Sequence, residues 1–425
     1  MSVTTQSCHA RPVVDFDHQS EQHAADAPAA FRSLRQNSPV AWSEHHGGFW
    51  VITRYRDVFA CLRDPATFTS GRFINADGQL DGGIAIPPLP FRMVPDETDL
   101  PEWEAPRMLL SRALGPKMVV RFRDRARAVA VSLIDRHIAS GSMDLVLHLA
   151  NPLPAILTME LVGLPLDRWE AFADPFHAFP ASRPGSVERQ RAAEGIEWIC
   201  GEISALAAER RKSPRQDLAS AIVHGQLADG APFTHEEAVE ILVQVVAGGV
   251  DTTTSLTANA FWHLHAFRRD RERLIAEPGL LSLATEEFLR FYSPVQNEGR
   301  TVSRSVDVGG QEIPAGARVL LSLASANRDP EAFEDPESFI IDRAENLHAG
   351  FGLGIHRCVG SHFARLQFEI MVEAALARIP NYEVNEADME RYSSIGAVNG
   401  WGKMPVTFTP GLPSGSPDAL GKGLG

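Results

Sequence analysis

One long helix limits what this chain can become more than any other feature. Thr234, followed three residues later by Glu237, has the form of a capping box. The sequence after it reads as a helix from about His235 to His265, on the order of 45 Å at 1.5 Å per residue. Its longest apolar stretch, Ile241 to Val250, is interrupted by Gln244 and ends at Asp251, far short of the ~20 residues that cross a bilayer. Ahead of it, Ala25 to Gln36 reads as a short helix, Phe49 to Thr53 as a strand, and Tyr55 to Arg63 as a helix. Asp81 to Thr98 is too rich in glycine and proline for regular structure. From Arg107 to about Gly230 the pattern is mostly helical, with breaks near Gly115-Pro116 and from Phe179 to Gly185, and Arg318 to Leu323 reads as a strand. The expected fold is mainly α with a minor β portion. No linker, charge block or repeat divides the chain, so 21–410 is expected to be one domain, between a flexible segment 1–20 and a flexible tail 411–425 (GLPSGSPDALGKGLG).

A net charge of -14 argues against a nucleic-acid footprint and against an anionic membrane surface. The N-terminus carries no apolar core of a secretory signal. Cys8, Cys61, Cys200 and Cys358 are scattered, with no CxxC pair, which disfavours a disulfide framework and points to a reducing cytoplasm.

The most informative segment is Gly350 to Gly360, GFGLGIHRCVG, followed by the apolar-periodic SHFARLQFEIMVEAALARI. Glycines at 350, 352 and 354 permit a tight turn and close approach to a flat cofactor. Cys358 lies at a helix entrance, where backbone N–H groups favour a thiolate and lower its pKa; a thiolate on haem iron favours O–O cleavage. Other readings stay open on the residues alone. The glycines could form a dinucleotide loop, although no strand precedes them; His356, Cys358 and His362 could bind zinc, although no second ligand pair is visible; Cys358 could be a small buried residue.

Phe351-Gly352-x-Gly354-x-His356-x-Cys358-x-Gly360 resembles the haem-binding signature of the cytochromes P450, and the likeness runs from about Ala25 to Thr409, nearest the soluble bacterial members. It implies a P450 fold, with haem b (iron protoporphyrin IX) between the long distal helix and the cysteine-loop helix, and Cys358 as the iron ligand. Phe351, Gly352, Gly360 and Gly248 are expected to contact the cofactor. In the long helix stands Ala247-Gly248-Gly249-Val250-Asp251-Thr252-Thr253. Paired interior glycines cost about 1 kcal/mol each, which calls for a reason: a close helix contact, a kink, or passage beside a cofactor. By the resemblance, Thr252 is expected to hydrogen-bond dioxygen or its partner water and Asp251 to relay protons.

The resemblance also supplies partners for other residues. Glu287 and Arg290 sit at i, i+3 in an apolar setting, and Arg343 is their expected third partner in a structural triad. Arg300 and His356 resemble the residues that hold haem propionates, and Arg107 is a third candidate, with Arg112 as its substitute. Trp103 stands where many members have histidine, and Pro106 would interrupt a helix begun at Pro101 unless that helix starts later. Substrate is expected against Ile84, Ile86, Leu89, Phe91 and Met93 from the roof loop, and Val243, Val246 and Ala247 from the helix. Val295 and Val398 lie opposite, and Phe176, Phe179 and Pro180 form a lid. Arg92, Gln296 and Asn399 are candidates for a polar substrate group.

The function implied is insertion of one oxygen atom of O2 into a small, largely apolar molecule. Electrons would come from NAD(P)H through a separate ferredoxin, or flavodoxin, and a reductase. Arg357, Arg365 and Lys117 are expected to form a docking face for that partner, and the protein is expected to be a monomer. A peroxide-using haem-thiolate oxidase and a non-catalytic haem-binding protein are the alternatives; Asp251 and Thr252 speak against the first.

Overall fold

In the computed structural model, which describes residues 11–75, 78, 80–227, 229–415 and 419, helices dominate and one five-stranded sheet lies to one side. The helices that matter are α1 (Ala27–Asn37), α2 (Tyr55–Arg63), α3 (Glu104–Ala113), α4 (Arg123–Ile138), α5 (Pro152–Val162), α6 (Trp169–Ala181), α7 (Val187–Lys212), α8 (His235–Ala266), α9 (Leu281–Tyr292) and α10 (Ser361–Arg378). The sheet is formed by β1 (Val40–Ser43), β2 (Phe49–Ile52), β3 (Phe68–Thr69), β4 (Asn297–Val302) and β5 (Arg318–Ser322), in the order β1-β2-β5-β4-β3.

The long helix is 32 residues, and its start is fixed as the sequence suggests: the Thr234 side chain accepts from Glu237 N–H and the Glu237 side chain accepts from Thr234 N–H. Ile241 through Val246 are all buried, as are Thr253 through Phe261. A helix apolar on every side belongs inside a large core, and α8 packs against α5, α6, α7 and α10 at once. No helix among the described residues is long and apolar enough to cross a membrane. Helix α3 begins at Glu104, so Pro106 falls in its first turn, where its missing N–H has no helical partner to lose.

Two expectations about the ends change. Residues 11–20 are packed rather than loose: Val14 N–H donates to Trp42 O at 2.8 Å, Phe16 is buried, and His18 is only 1% exposed. The tail is anchored where it is described, with Gly411 N–H on Ile138 O at 3.0 Å, and Ala419 buried with its carbonyl accepting from Arg125. Residues 1–10, 416–418 and 420–425 lie outside the described residues.

Candidate active site

A cavity of about 330 Å³ separates α8 from the loop before α10. Cys358 opens into it from one wall, and Gly248, Asp251 and Thr252 line the other. The loop is shaped by Gly352 and Gly354, at φ 62° and 68°, a region that costs other residues. A Cβ on Gly354 would lie 2.4 Å from Leu62 O, so only glycine lets the loop sit against α2. Cys358 N–H donates to Phe351 O at 2.8 Å, closing the turn. A Cβ on Gly360 would stand 3.9 Å from Cys358 Sγ and meet nothing nearer, which leaves the sulfur a clear face.

Cys358 is open to the cavity yet enclosed by protein. Burial pushes its thiol up to about 11, helped by the nearby Asp96 carboxyl; the Gly360 N–H, Arg107 and Arg357 pull the other way and do not prevail. The backbone N–H thus lowers the thiol in the expected sense, and burial outweighs it. A cationic centre in the cavity would supply what the backbone lacks. His356, Cys358 and His362 form no three-donor cluster, so the zinc reading fails among the described residues.

The paired glycines of α8 do different things. A Cβ on Gly249 would run into Thr158 of α5, 2.6 Å from its Oγ1; one on Gly248 would meet only Gln244 Nε2 at 3.5 Å. Gly249 thus serves helix contact and Gly248 leaves the cavity open. Thr252 Oγ1 donates to Gly248 O at 3.2 Å. Asp251 is 3% exposed and held by groups far away in sequence: Tyr392 Oη donates to its Oδ1 at 2.7 Å, and His177 Nδ1 of α6 lies 2.6 Å from the same oxygen. His177 Nε2 contacts Asn151 Oδ1 in turn. Oδ2 of Asp251 is buried without a partner. Local sequence gave no sign of His177, Asn151 or Tyr392; the only hint is that His177 lies between the lid residues Phe176 and Phe179.

Phe351, Gly352 and Gly360 line the cavity, as do Ile84, Ile86, Leu89, Phe91 and Met93 of the roof. Ala247, Val295 and Val398 also line it, the last two joined by an antiparallel bridge, together with Phe176, Phe179 and Pro180 of the lid. Val243 and Val246 do not. They pack with the apolar side chains of α6 and α7, and helical phase brings Gln244 and Val245 to the cavity instead. The expected polar contacts also lie elsewhere: Arg92 pairs with Glu240 and Glu102, while the side-chain amides of Gln296 and Asn399 donate to Tyr292 O. Polar groups that do face the cavity include Gln244, Asn297 and Asp96. The Gln244 amide donates to Asp96 Oδ2 at 2.7 Å, and burial raises the Asp96 carboxyl to about 6.

At the cavity's edge, His356 Nε2 is 3.1 Å from Ser70 Oγ, and its Nδ1 is buried without a partner. Trp103 stacks edge-on 6.3 Å away, its indole N–H also buried and unpaired. Neither Arg107 nor Arg300 lines the cavity: Arg107 donates to Arg357 O at 2.5 Å, and Arg300 to Glu298 and Gly299 O. Arg112 is exposed. The triad is as expected and more extensive. Arg290 donates twice to Glu287 at 2.7 Å and Arg343 once at 3.1 Å; Asn346 and the Ile340 N–H also donate to this carboxylate, and neither Glu287 nor the Arg290 side chain has any exposure. Of the proposed docking cations, Arg357 and Lys117 are exposed, but Arg365 is drawn into a paired contact with Glu286 at 2.5 and 2.6 Å.

Comparison with known proteins decides the family. The family model for cytochrome P450 matches residues 191–390. A cytochrome P450 of Rhodopseudomonas palustris is 33% identical over 96% of this chain and 98% of its own length. The chain belongs to the cytochrome P450 family. Cyclomarin C epoxidase of Salinispora arenicola is 32% identical over 86% of this P450 and 92% of the relative. Among solved structures, a Mycobacterium marinum cytochrome P450 in complex with pseudoionone superposes with a TM-score of 0.84 at 28% identity, covering 94% of this P450 and all of that chain. The cofactor of this P450 is therefore haem b. Its residues fit that group: a cysteine on the cavity lining with Gly248, Gly352 and Gly360, and buried ring nitrogens without partners at Trp103 and His356.

Proposed function

We propose that this P450 monooxygenase oxidises a small, largely apolar molecule in the cavity above Cys358, using Asp251 and Thr252 to deliver protons and taking electrons from NAD(P)H through a separate ferredoxin, or flavodoxin, and reductase. The observation that carries this reading is that Cys358 opens on one wall of the cavity while Thr252 and Asp251 open on the other. Haem held by Cys358 would supply oxygen activation. Cys358 would bind the metal as a thiolate, and His356 with Trp103, Arg107 and Arg300 would pair the propionates. Thr252 keeps its proton on Gly248 O and offers its lone pairs to the cavity. Asp251, fixed by Tyr392 and His177, holds a free oxygen that can accept and pass a proton. The apolar roof excludes water and orients substrate by shape. Linalool 8-monooxygenase of Pseudomonas putida, 30% identical over 89% of the chain, and the pseudoionone complex make a terpenoid the first substrate class to screen.

Purified protein supplied with a surrogate ferredoxin, its reductase and NADPH should form oxygenated product from a terpenoid in the panel. Cys358→Ala should lose the red-shifted carbon monoxide band of the reduced protein. Turnover supported by hydrogen peroxide alone, and insensitive to Asp251→Asn, would establish the peroxide-using alternative instead.

A further inference from the structure

At the cavity roof, His18 of the N-terminal segment, which itself lines the cavity, and Asp17 beside it meet His46 of the turn joining β1 and β2. One donor atom from each lies within 4.8 Å of the other two, and no other trio of His, Cys, Asp or Glu does this among the described residues. His18 shows the preparation of a ligand. Its Nε2–H donates to Ile86 O at 2.7 Å, which places the lone pair on Nδ1, and that atom is buried with no partner. A lone pair left so loses its hydration with nothing in exchange. Metal-bound histidines commonly donate their other N–H to a backbone carbonyl in this way.

The other two donors are poised nearby. Asp17 Oδ1 accepts from Gln19 N–H at 2.9 Å and faces His46 Nε2 at 2.7 Å. The His18 and His46 rings stand 5.3 Å apart at 72°. His46 takes φ 52°, a region in which histidine, like Asn and Asp, is enriched among non-glycine residues. A plain Asp17–His46 ion pair accounts for two of the three residues and leaves His18 Nδ1 unexplained.

We propose that Asp17, His18 and His46 bind one divalent transition-metal ion of borderline softness, with zinc as its representative and water completing the shell. Two imidazoles and a carboxylate suit such an ion. Zinc at about 2.0–2.1 Å sets tetrahedral donors roughly 3.3 Å apart, so Asp17 Oδ1 and His46 Nε2, now 2.7 Å apart, would open to admit the ion while the trio, already within 4.8 Å, draws in around it through small χ changes. The site is tied to substrate binding by construction. His18 and Gln19 both donate to Ile86 O, Gln19 Oε1 accepts from Ser394, and Ile86 lines the cavity. Occupation would stiffen the roof.

The test uses haem-loaded protein stripped with chelator and then titrated with zinc, read by elemental mass spectrometry and calorimetry. Asp17→Asn keeps the bond from Gln19, and His46→Asn tolerates the positive φ. Wild type should bind one more zinc than either variant, or the same number with at least tenfold higher affinity at one site, and zinc should slow amide exchange at Ile84–Ile86 in wild type alone. Equal stoichiometry and affinity across the three proteins would overturn the proposal. If the variants load haem poorly, zinc X-ray absorption on wild type decides: a shell with two imidazoles supports the site, and one without them refutes it.

Discussion

On the Cys358 side, the groups that shape the cavity come from one short run of chain, Gly350 to Gly360, held by its own turn and by α2. On the opposite side, Asp251 is gripped by His177 and Tyr392, 74 and 141 residues distant in sequence. The first wall is fixed by local backbone geometry, the second by tertiary contacts that include the lid helix α6. A wall of the second kind depends on where α6 sits, because His177, Phe176 and Phe179 all belong to that helix.

The sharpest way to break this contrast is to attack what lies behind the fixed wall. Glu287 has no exposure and binds both Arg290 and Arg343. Glu287→Ala strands two buried guanidinium groups, a loss of about 3–5 kcal/mol. Urea unfolding and the haem-to-protein ratio should both fall sharply; a loss under about 1 kcal/mol would mean that the neighbouring carbonyls alone hold the arginines.

On the acid wall the expected effect is kinetic. Asp251→Asn should lower product formation about 100-fold, with haem content and stability little changed. Tyr392→Phe and His177→Ala should each cost less, about tenfold, and should raise the NADPH consumed per product. Wild-type coupling in His177→Ala would show that Asp251 acts without the lid.

The same contrast explains what the sequence could be read for. The cysteine loop and the Thr234 capping box are contiguous patterns, so their geometry was legible, as was the length of α8. Gly248 and Gly249 were visible as an anomaly, but which one met a helix and which met the cavity needed Thr158 in place. Val243 and Val246 were misassigned because the nearly continuous apolar run Ile241–Val246 carries no phase signal; only its packing on α6 and α7 orients it. The thiol of Cys358 shifts upward because enclosure outweighs the helix entrance, and enclosure is a tertiary property. The packed segment 11–20 escaped for the same reason: its polar residues find partners only in the β1–β2 turn and the roof.

A pH measurement tests the fixed wall from its outer face. Glu286 is buried enough to be raised, yet bonds from Arg365 and His348 win and bring its pKa from 4.5 to about 2. A carboxylate depressed by folding contributes stability that is complete above the unfolded value and is lost as pH falls from about 4.5 toward 2. With partial exposure discounted, the contribution is on the order of 2 kcal/mol. Glu286→Gln should flatten that part of the acid unfolding profile and leave stability above pH ~5 independent of pH from this source. An unchanged acid slope would mean that the pair with Arg365 does not persist in solution.

The smallest effect separates the two glycines, and with them the two roles of α8. Alanine is favoured over glycine within a helix by about 1 kcal/mol. At Gly248 the nearest atom to an added Cβ is Gln244 Nε2 at 3.5 Å, so Gly248→Ala should keep that gain and melt higher, while the methyl group enters the cavity and weakens substrate-induced spectral shifts. At Gly249 the Cβ meets Thr158 Oγ1 at 2.6 Å and Cγ2 at 2.9 Å, and overpacking of about 1–3 kcal/mol outweighs the helix gain. Gly249→Ala should therefore melt lower, with substrate shifts less affected. Thermal melts of the two variants displaced in the same direction would mean that α8 slides past α5, and that its register is not set by Thr158.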